Sequence, residues 1–208
     1  RGREHYQWNV DIWGMEGIEA DAELLSVMVH MFRSVGLTHD DIVIRISSRK
    51  VLEEVLGSLE IDGDSFTKTC VIVDKMDKLP ADTVSAQLSE LGISDSSIAT
   101  IQSVLGLTEL SELKRMLSPS SPAVVELERL FQLLDSYGIS EWTTFDASIV
   151  RGLAYYTGPV FEAHDKAGEL RAICGGGRYD KLIGTLGGRD LPATGFGFGD
   201  MVIMELLA

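Results

Sequence analysis

The sequence predicts an α+β fold: an antiparallel sheet flanked by helices and interrupted by an α-helical insertion. Three observations predict it. Strand-like alternation occupies both ends of the chain, whereas residues 62–135 break into short helical pieces separated by Gly, Pro and Ser. The later β-rich part runs strand–turn–strand without regular βαβ alternation, which disfavours a doubly wound sheet. The size, 208 residues and 22.7 kDa, suits one domain carrying a sizeable insert.

Residues 6–13, YQWNVDIW, alternate cleanly. Tyr6, Trp8, Val10 and Ile12 face one way and Gln7, Asn9, Asp11 and Trp13 the other, the period of a strand. Gly14 and Gly17 end it. From Ile18 to Val35, Leu25, Met28, Val29 and Phe32 recur at helical spacing, and Gly36 stands where a helix-ending glycine belongs. Ile42–Ile46 reads as a second strand. Ser48 then caps a helix that ends near Gly57.

The insertion contains VIVDKMDKLP, DTVSAQLSELG, SDSSIATIQSVLG and ELSELKRMLS as helical pieces, and AVVELERLFQLLDSYG as a longer helix after SPSSP. The boundaries expected are therefore residues 1–61, 62–135 and 136–208. From Thr143 onward FDASIV, PVFEAH, LRAIC and ATGFGFG read as four strands. PVFEAH and LRAIC form a hairpin.

Composition removes several function classes. Hydrophobic residues at 45%, charged residues at 24% and a mean hydropathy of +0.11 are globular values. No apolar run is long enough to span a membrane, so no membrane partner is expected. The first residues, RGREHYQWNV, contain no apolar signal region. Cys70 and Cys174 have no metal or disulfide spacing and fit a reducing compartment, cytoplasmic or organellar (plastid or mitochondrial) rather than secreted. The four His show no ligand spacing, so no metal held by side chains alone is expected. Net charge is −14, and residues 62–118 carry five Lys/Arg against nine Asp/Glu. Neither value describes a basic nucleic-acid module.

Three clusters carry polar chemistry. CGGGRYDKLIG places Gly175, Gly176 and Gly177 between a strand and a helix, where exposed backbone N–H groups suit an anion, with Arg178 beside them. Taken alone, such glycines more often form turns and close strand contacts, and neither a phosphate-binding P-loop nor a dinucleotide fingerprint is present. IVRGLAYYTG offers Arg151 as a fixed cation beside Tyr155 and Tyr156, although from this segment alone a surface arginine and two core tyrosines are the favoured reading. Gln7 and Asp11 share one strand face, roughly 13 Å apart. With Arg1 and Arg3 before them they line a zwitterion site or simply a solvated sheet face.

Together the clusters are far more specific. RGREHYQWNVDIWG resembles the second half of class II synthetase motif 2 as histidyl-tRNA synthetases write it. IVRGLAYYTGPVFE and AICGGGRYDKLIGTLGG resemble that family's two histidine signatures, in the family's order. PATGFGFGDMVIMELL stands in the place of motif 3. The resemblance covers essentially the whole chain, and the R-G-x-x-Y-Y-T-G and G-G-G-R-Y-D pair is its most specific part.

The resemblance implies a class II synthetase-like sheet and a role for each matching residue. Gln7 would contact the bound amino acid and Asp11 would read its imidazole. Arg151 would be the catalytic arginine, touching the histidine carboxylate and the α-phosphate. Tyr155 and Tyr156 would surround the side-chain pocket, and Gly175–Gly177 would underlie histidine and adenylate. Arg1, Arg3 and Arg178 would approach ATP. The implied reaction joins L-histidine and ATP into histidyl-adenylate and then loads tRNA(His), with Mg²⁺ carried by ATP and no metal bound by the protein itself. In-line attack on phosphorus needs positioning and cationic stabilisation more than acid–base groups.

Departures from the family pattern accompany the matches. Ala154 stands where Asp is usual and Val202 where the family has an arginine. Motif 1, through which the family forms homodimers, the first half of motif 2 and an anticodon-binding domain have no counterpart in these residues. The expectation is a catalytic-core fragment, impaired on its own and weak for tRNA. The alternative is a non-catalytic paralogue: an ATP phosphoribosyltransferase regulatory subunit or a histidine- or tRNA-sensing domain.

Overall fold

The computed structural model describes residues 4–76, 79–151 and 155–208. Its elements are β1 Gln7–Trp13, α1 Glu19–Ser34, β2 Ile42–Ser48, α2 Arg49–Ser58, α3 Gly63–Val73, α4 Ala81–Glu90, α5 Asp95–Leu105, α6 Leu110–Met116, α7 Pro122–Ser136, β3 Thr143–Phe145, β4 Pro159–Asp165, β5 Cys174–Arg178, α8 Leu182–Thr185, β6 Ala193–Gly199 and α9 Asp200–Leu206. The six strands form one sheet in the order β1-β6-β5-β4-β2-β3, antiparallel except where β3 joins β2 in parallel.

Strand register sorts every side chain onto one of two faces. Val10 and Ile12 of β1, Phe196 and Phe198 of β6, Phe161 and Ala163 of β4, and Ile42, Ile44 and Ile46 of β2 share the face that builds the core. Helix α1 covers this face with Leu25, Met28 and Phe32, all fully buried, and Phe32 meets Phe198 at 5.9 Å between ring centroids. Helix α7 packs beside α1 and α2, its residues Leu127, Leu130 and Leu134 sealed from solvent. Removing such apolar surface from water is the main stabilising contribution. The opposite face carries the polar residues of β1.

Local signals place the helix ends. Gly36 follows α1 at φ +88°, a conformation that favours glycine. The Ser48 hydroxyl accepts the Lys50 N–H at 3.3 Å and caps α2.

Three segments differ from expectation. FDASIV is a strand only as far as Phe145, because the Asp146 carboxylate takes the Ser148 N–H and hydroxyl and turns the chain. The first insertion helix begins at Gly63 rather than at Val71 and ends at Val73, since Thr69, Cys70 and Val73 form its buried stripe. Most consequentially, LRAIC enters the sheet only at Cys174, and the three glycines belong to β5 itself. Their strand is paired on both sides, with β4 and β6, so Gly175–Gly177 are not an open anion-binding loop. The hairpin connection between β4 and β5 is correspondingly long, and Asp165 steadies it by accepting the Glu169 and Leu170 N–H groups.

Candidate functional site

The polar face of the sheet contains a trough of about 420 Å³ whose floor is glycine. Gly175 of β5 pairs with Gly197 of β6, and Gly177 with Gly195. All four present a Cα–H where any other residue would present a side chain. The vacated space is filled from the flanks. A Cβ on Gly195 would overlap the Asp11 carboxylate, and one on Gly197 would stand 2.6 Å from the Gln7 amide nitrogen. A Cβ on Gly175 would overlap Arg151 Nη1, and one on Gly177 would lie 3.0 Å from the Tyr156 ring.

The register therefore gives the trough two ends. Arg151 over Gly175 and Gln7 over Gly197 face each other at one end. Asp11 over Gly195 and Tyr156 over Gly177 face each other at the other. Two residues along a strand separate them, about 7 Å. One end offers a guanidinium, the other a carboxylate between aromatic rings.

Each wall is held by specific contacts. The Tyr179 hydroxyl donates to Asp11 Oδ1. Tyr155 lies 4.7 Å from Tyr156 and 5.9 Å from Tyr179 between ring centroids, and Trp13 closes the edge 5.8 Å from Tyr179. Gln7 Nε2 donates to Asn9 Oδ1 at 2.7 Å. Arg151 has φ +46°, a left-handed conformation unusual for a residue with a side chain, and its Nη1 donates to Glu162 Oε1 at 3.0 Å. Its buried Nε has no hydrogen-bond partner among the described residues.

Burial pushes the Tyr156 hydroxyl up to about 12, against the opposing pull of the Arg151 charge. Tyr179 is also raised, first by burial and then by the carboxylate of Asp11 that its proton serves. Both phenols remain protonated donors at neutral pH. Among the described residues no group of three or more His, Cys, Asp or Glu side chains is placed to hold a metal ion, and no helix is long and apolar enough to cross a membrane.

A guanidinium and a carboxylate at opposite ends of a glycine-floored trough suit a zwitterion with a hydrogen-bonding side chain. Comparison with known proteins gives the lineage of this arrangement. Residues 1–200 match the family model for histidyl-tRNA synthetase. The chain belongs to the histidyl-tRNA synthetase family. The chloroplastic/mitochondrial histidine–tRNA ligase of Arabidopsis thaliana is 50% identical over 207 residues, which are 100% of this chain and 43% of that protein. The histidine–tRNA ligase of Thermoplasma volcanium is 40% identical over 210 residues, 100% of this chain and 48% of its own. The crystal structure of histidyl-tRNA synthetase from Nostoc sp. PCC 7120 superposes with a TM-score of 0.83 at 29% identity, over 97% of this chain and 50% of that one. The chain thus spans about half the length of the curated relatives it matches, and its α+β fold is that of the synthetase family.

Within this synthetase-family chain, Gln7, Asp11, Arg151, Tyr155, Tyr156 and Gly175 all line the trough, and Gly177 lies under Tyr156. Gly176 points to the helix-covered face, where a Cβ would come 2.6 Å from the backbone of Phe196. Arg178 also lies on that face, 3% exposed, and not in the trough. All five of its N–H donors are engaged: two reach Asp21 of α1, and the others reach the Met15 and Gly17 carbonyls and Asp180. Arg1, Arg3 and Ala154 lie outside the described residues. Val202 is buried on α9 in the core.

The structure adds Asn9, Trp13, Tyr179, Leu182, Gly195, Phe196 and Gly197 to the trough. Asn9 and Trp13, on the same strand face as Gln7 and Asp11, and the glycines had a readable signal. GFGFG alternates with the period of a strand, which puts all its glycines on one face.

Proposed function

We propose that this chain carries the amino-acid activation site of a histidine–tRNA ligase. In this reading L-histidine and ATP give histidyl-adenylate and pyrophosphate, and the histidyl group then passes to tRNA(His). The observation that carries it is the two-ended trough. Histidine lying along the glycine floor directs its carboxylate to Arg151 and its imidazole to Asp11, Tyr156 and Tyr179.

Each residue then has a physical task. Gln7 donates to the amino acid beside Arg151. Asp11 accepts a ring N–H, with its carboxylate oriented by Tyr179. Tyr155 and Tyr156 supply aromatic walls and hydroxyls. Gly175 and Gly177 let the ligand approach the backbone closely. Arg151 holds the attacking carboxylate against the α-phosphate, and its attraction grows as charge builds on the phosphoryl oxygens in the transition state. No side chain needs to move a proton in that step.

Arg1 and Arg3 are assigned to ATP, which brings Mg²⁺ as its own counter-ion. Arg178 is assigned instead to holding α1 behind the pocket floor. Residues 1–61 and 136–208 are read as the two parts of the catalytic core and 62–135 as a helical insertion. By analogy with the family and with the Arabidopsis relative, a homodimer working in a plastid or mitochondrion is the assembly and compartment proposed.

The test is histidine-dependent ATP–pyrophosphate exchange by the full-length protein. Exchange that requires histidine and ignores other amino acids is expected. Histidine binding without exchange would overturn the reading in favour of a non-catalytic paralogue.

A further inference from the structure

The Arg151 guanidinium lies above a strand that has nothing to hold it with. Gly175, directly below, has no side chain, and Gly177, the next residue on that face, is equally bare. The neighbouring strand supplies the missing contact. Glu162 of β4 is the register partner of Gly175, so its side chain stands on the same face beside the arginine. Its Oε1 accepts from Arg151 Nη1 at 3.0 Å, and its Oε2 lies 3.2 Å from His164 Nε2.

Resting on the function proposed above, we propose that Glu162 is the positioning residue of Arg151, and that His164 locks the carboxylate from behind. Each carboxylate oxygen has its own partner, which fixes both the rotation and the tilt of the acid. His164 lies two residues along β4 on the same face, where strand period brings the two side chains together. On the far side, Arg45 of β2 is the register partner of Glu162 and pairs with Asp146 at 3.4 Å. A row of alternating charge, Asp146, Arg45, Glu162 and Arg151, thus crosses the sheet into the trough.

The arrangement answers a specific difficulty. Arg151 has a long, flexible side chain on a backbone in the left-handed region at φ +46°. A guanidinium free to wander would meet the reacting carboxylate and phosphate in many poses, few of them productive. Glu162 engages the guanidinium through Nη1, on the β4 side, and thereby sets its plane over Gly175. It does so without touching substrate, so its effect is on rate through Arg151.

The experiment uses the full-length protein with Glu162→Ala, Glu162→Gln, Arg151→Ala and the Arg151→Ala/Glu162→Ala double variant, each checked by thermal melting. In histidine-dependent exchange, Glu162→Ala is expected to lower kcat about 10- to 100-fold with the histidine KM changed less than about threefold. Glu162→Gln, which retains an acceptor at Oε1, recovers part of that loss. The double variant should be no slower than Arg151→Ala alone, because the two residues act as one unit. A kcat for Glu162→Ala within about threefold of wild type, or a double variant whose losses multiply, overturns the proposal. Nitrogen-15 relaxation of the Arg151 side chain gives a readout independent of turnover: it should become more mobile in Glu162→Ala, and unchanged order also overturns positioning. Absence of exchange in the wild-type protein, by contrast, counts against the ligase reading and leaves the relaxation test to decide the role of Glu162.

Discussion

The Nη1 atom of Arg151 occupies the space that a side chain on Gly175 would need. The two residues are 24 positions apart in the chain, yet the identity of one follows from the place of the other. Gly175 sits in β5 between β4 and β6, so an added Cβ would also press on the Phe161 carbonyl oxygen at 2.7 Å. Arg151 can move away; the backbone of β4 cannot move without disturbing the sheet.

Gly175→Ala is therefore expected to do two separable things. It should lower stability by about 1–3 kcal/mol, the usual cost of overpacking, and it should slow adenylate formation by tilting Arg151. Urea unfolding and pyrophosphate exchange measure the two effects. Gly176→Ala on the opposite face is the comparison: its Cβ meets the β6 backbone at Gly195 and Phe196 and none of the trough's side chains. It should cost stability alone, and a Gly176→Ala protein that folds stably with a specific rate defect would contradict the two-faced reading of β5.

The Arg178–Asp21 pair makes a different prediction. Both side chains are almost fully buried, 4% and 0% exposed, and join β5 to the start of α1 across 157 residues of sequence. Removing Asp21 leaves the buried Arg178 charge with only the partly exposed Asp180 carboxylate, 3.1 Å away, as counter-charge. Asp21→Ala is expected to destabilise the fold by about 3–5 kcal/mol, read from the urea midpoint. A loss below about 1 kcal/mol would show that Arg178 finds water or another acceptor.

Much of this fold was legible locally, and the failures at the site come from contacts distant in sequence. The alternation of YQWNVDIW marks both the strand and the face that lines the trough, because strand period alone decides which side chains share a face. Ser48 and Gly36 announce helix ends for equally local reasons. Gly175–Gly177 could not be read that way. Three glycines have low strand propensity, and only the ladders with β4 and β6 hold them extended. Likewise nothing near Arg178 in sequence reveals Asp21, and nothing near Asp11 reveals Tyr179, 168 residues away. Family resemblance groups Gln7, Asp11, Arg151, Tyr155 and Tyr156; in space the β1–β6 register places Gln7 and Asp11, and the segment leading into β4 places Arg151, Tyr155 and Tyr156 opposite them.

Alkaline pH should expose the burial of Tyr156. Its hydroxyl is pushed up from 10.0 to about 12, chiefly by desolvation. Below pH 10 the native and unfolded chains both keep this proton, and the contribution to stability is fully present. Between pH 10 and about 12 the unfolded chain releases the proton first, so stability falls as pH rises through that window. The loss is on the order of 2 kcal/mol. Tyr156→Phe has no such proton and should lose less stability over the same interval. Equal slopes for the two proteins, in urea melts at stepped pH, would show that Tyr156 ionises as freely as in water.

The two ends of the trough should separate kinetically. In the proposed function Arg151, over Gly175, meets the reacting carboxylate and phosphate, and its attraction strengthens as charge develops during attack. Arg151→Ala in the full-length protein should mainly lower the activation rate, by about 10²–10³, as for removal of one donor to a developing oxyanion. On the same proposal Asp11, over Gly195, meets a part of the substrate that does not react. Its carboxylate, held by the Tyr179 hydroxyl, interacts equally with ground and transition states, and such uniform binding appears in KM. Asp11→Ala should therefore raise the histidine KM while largely sparing kcat. It should also relax discrimination against amino acids that lack a ring N–H, because a polar pocket rejects ligands that leave it unpaired. Pyrophosphate exchange across a histidine titration distinguishes the two variants. A KM-only effect for Arg151→Ala, or an unchanged histidine KM for Asp11→Ala, would reverse the assignment of the two ends while leaving the fold and the family intact.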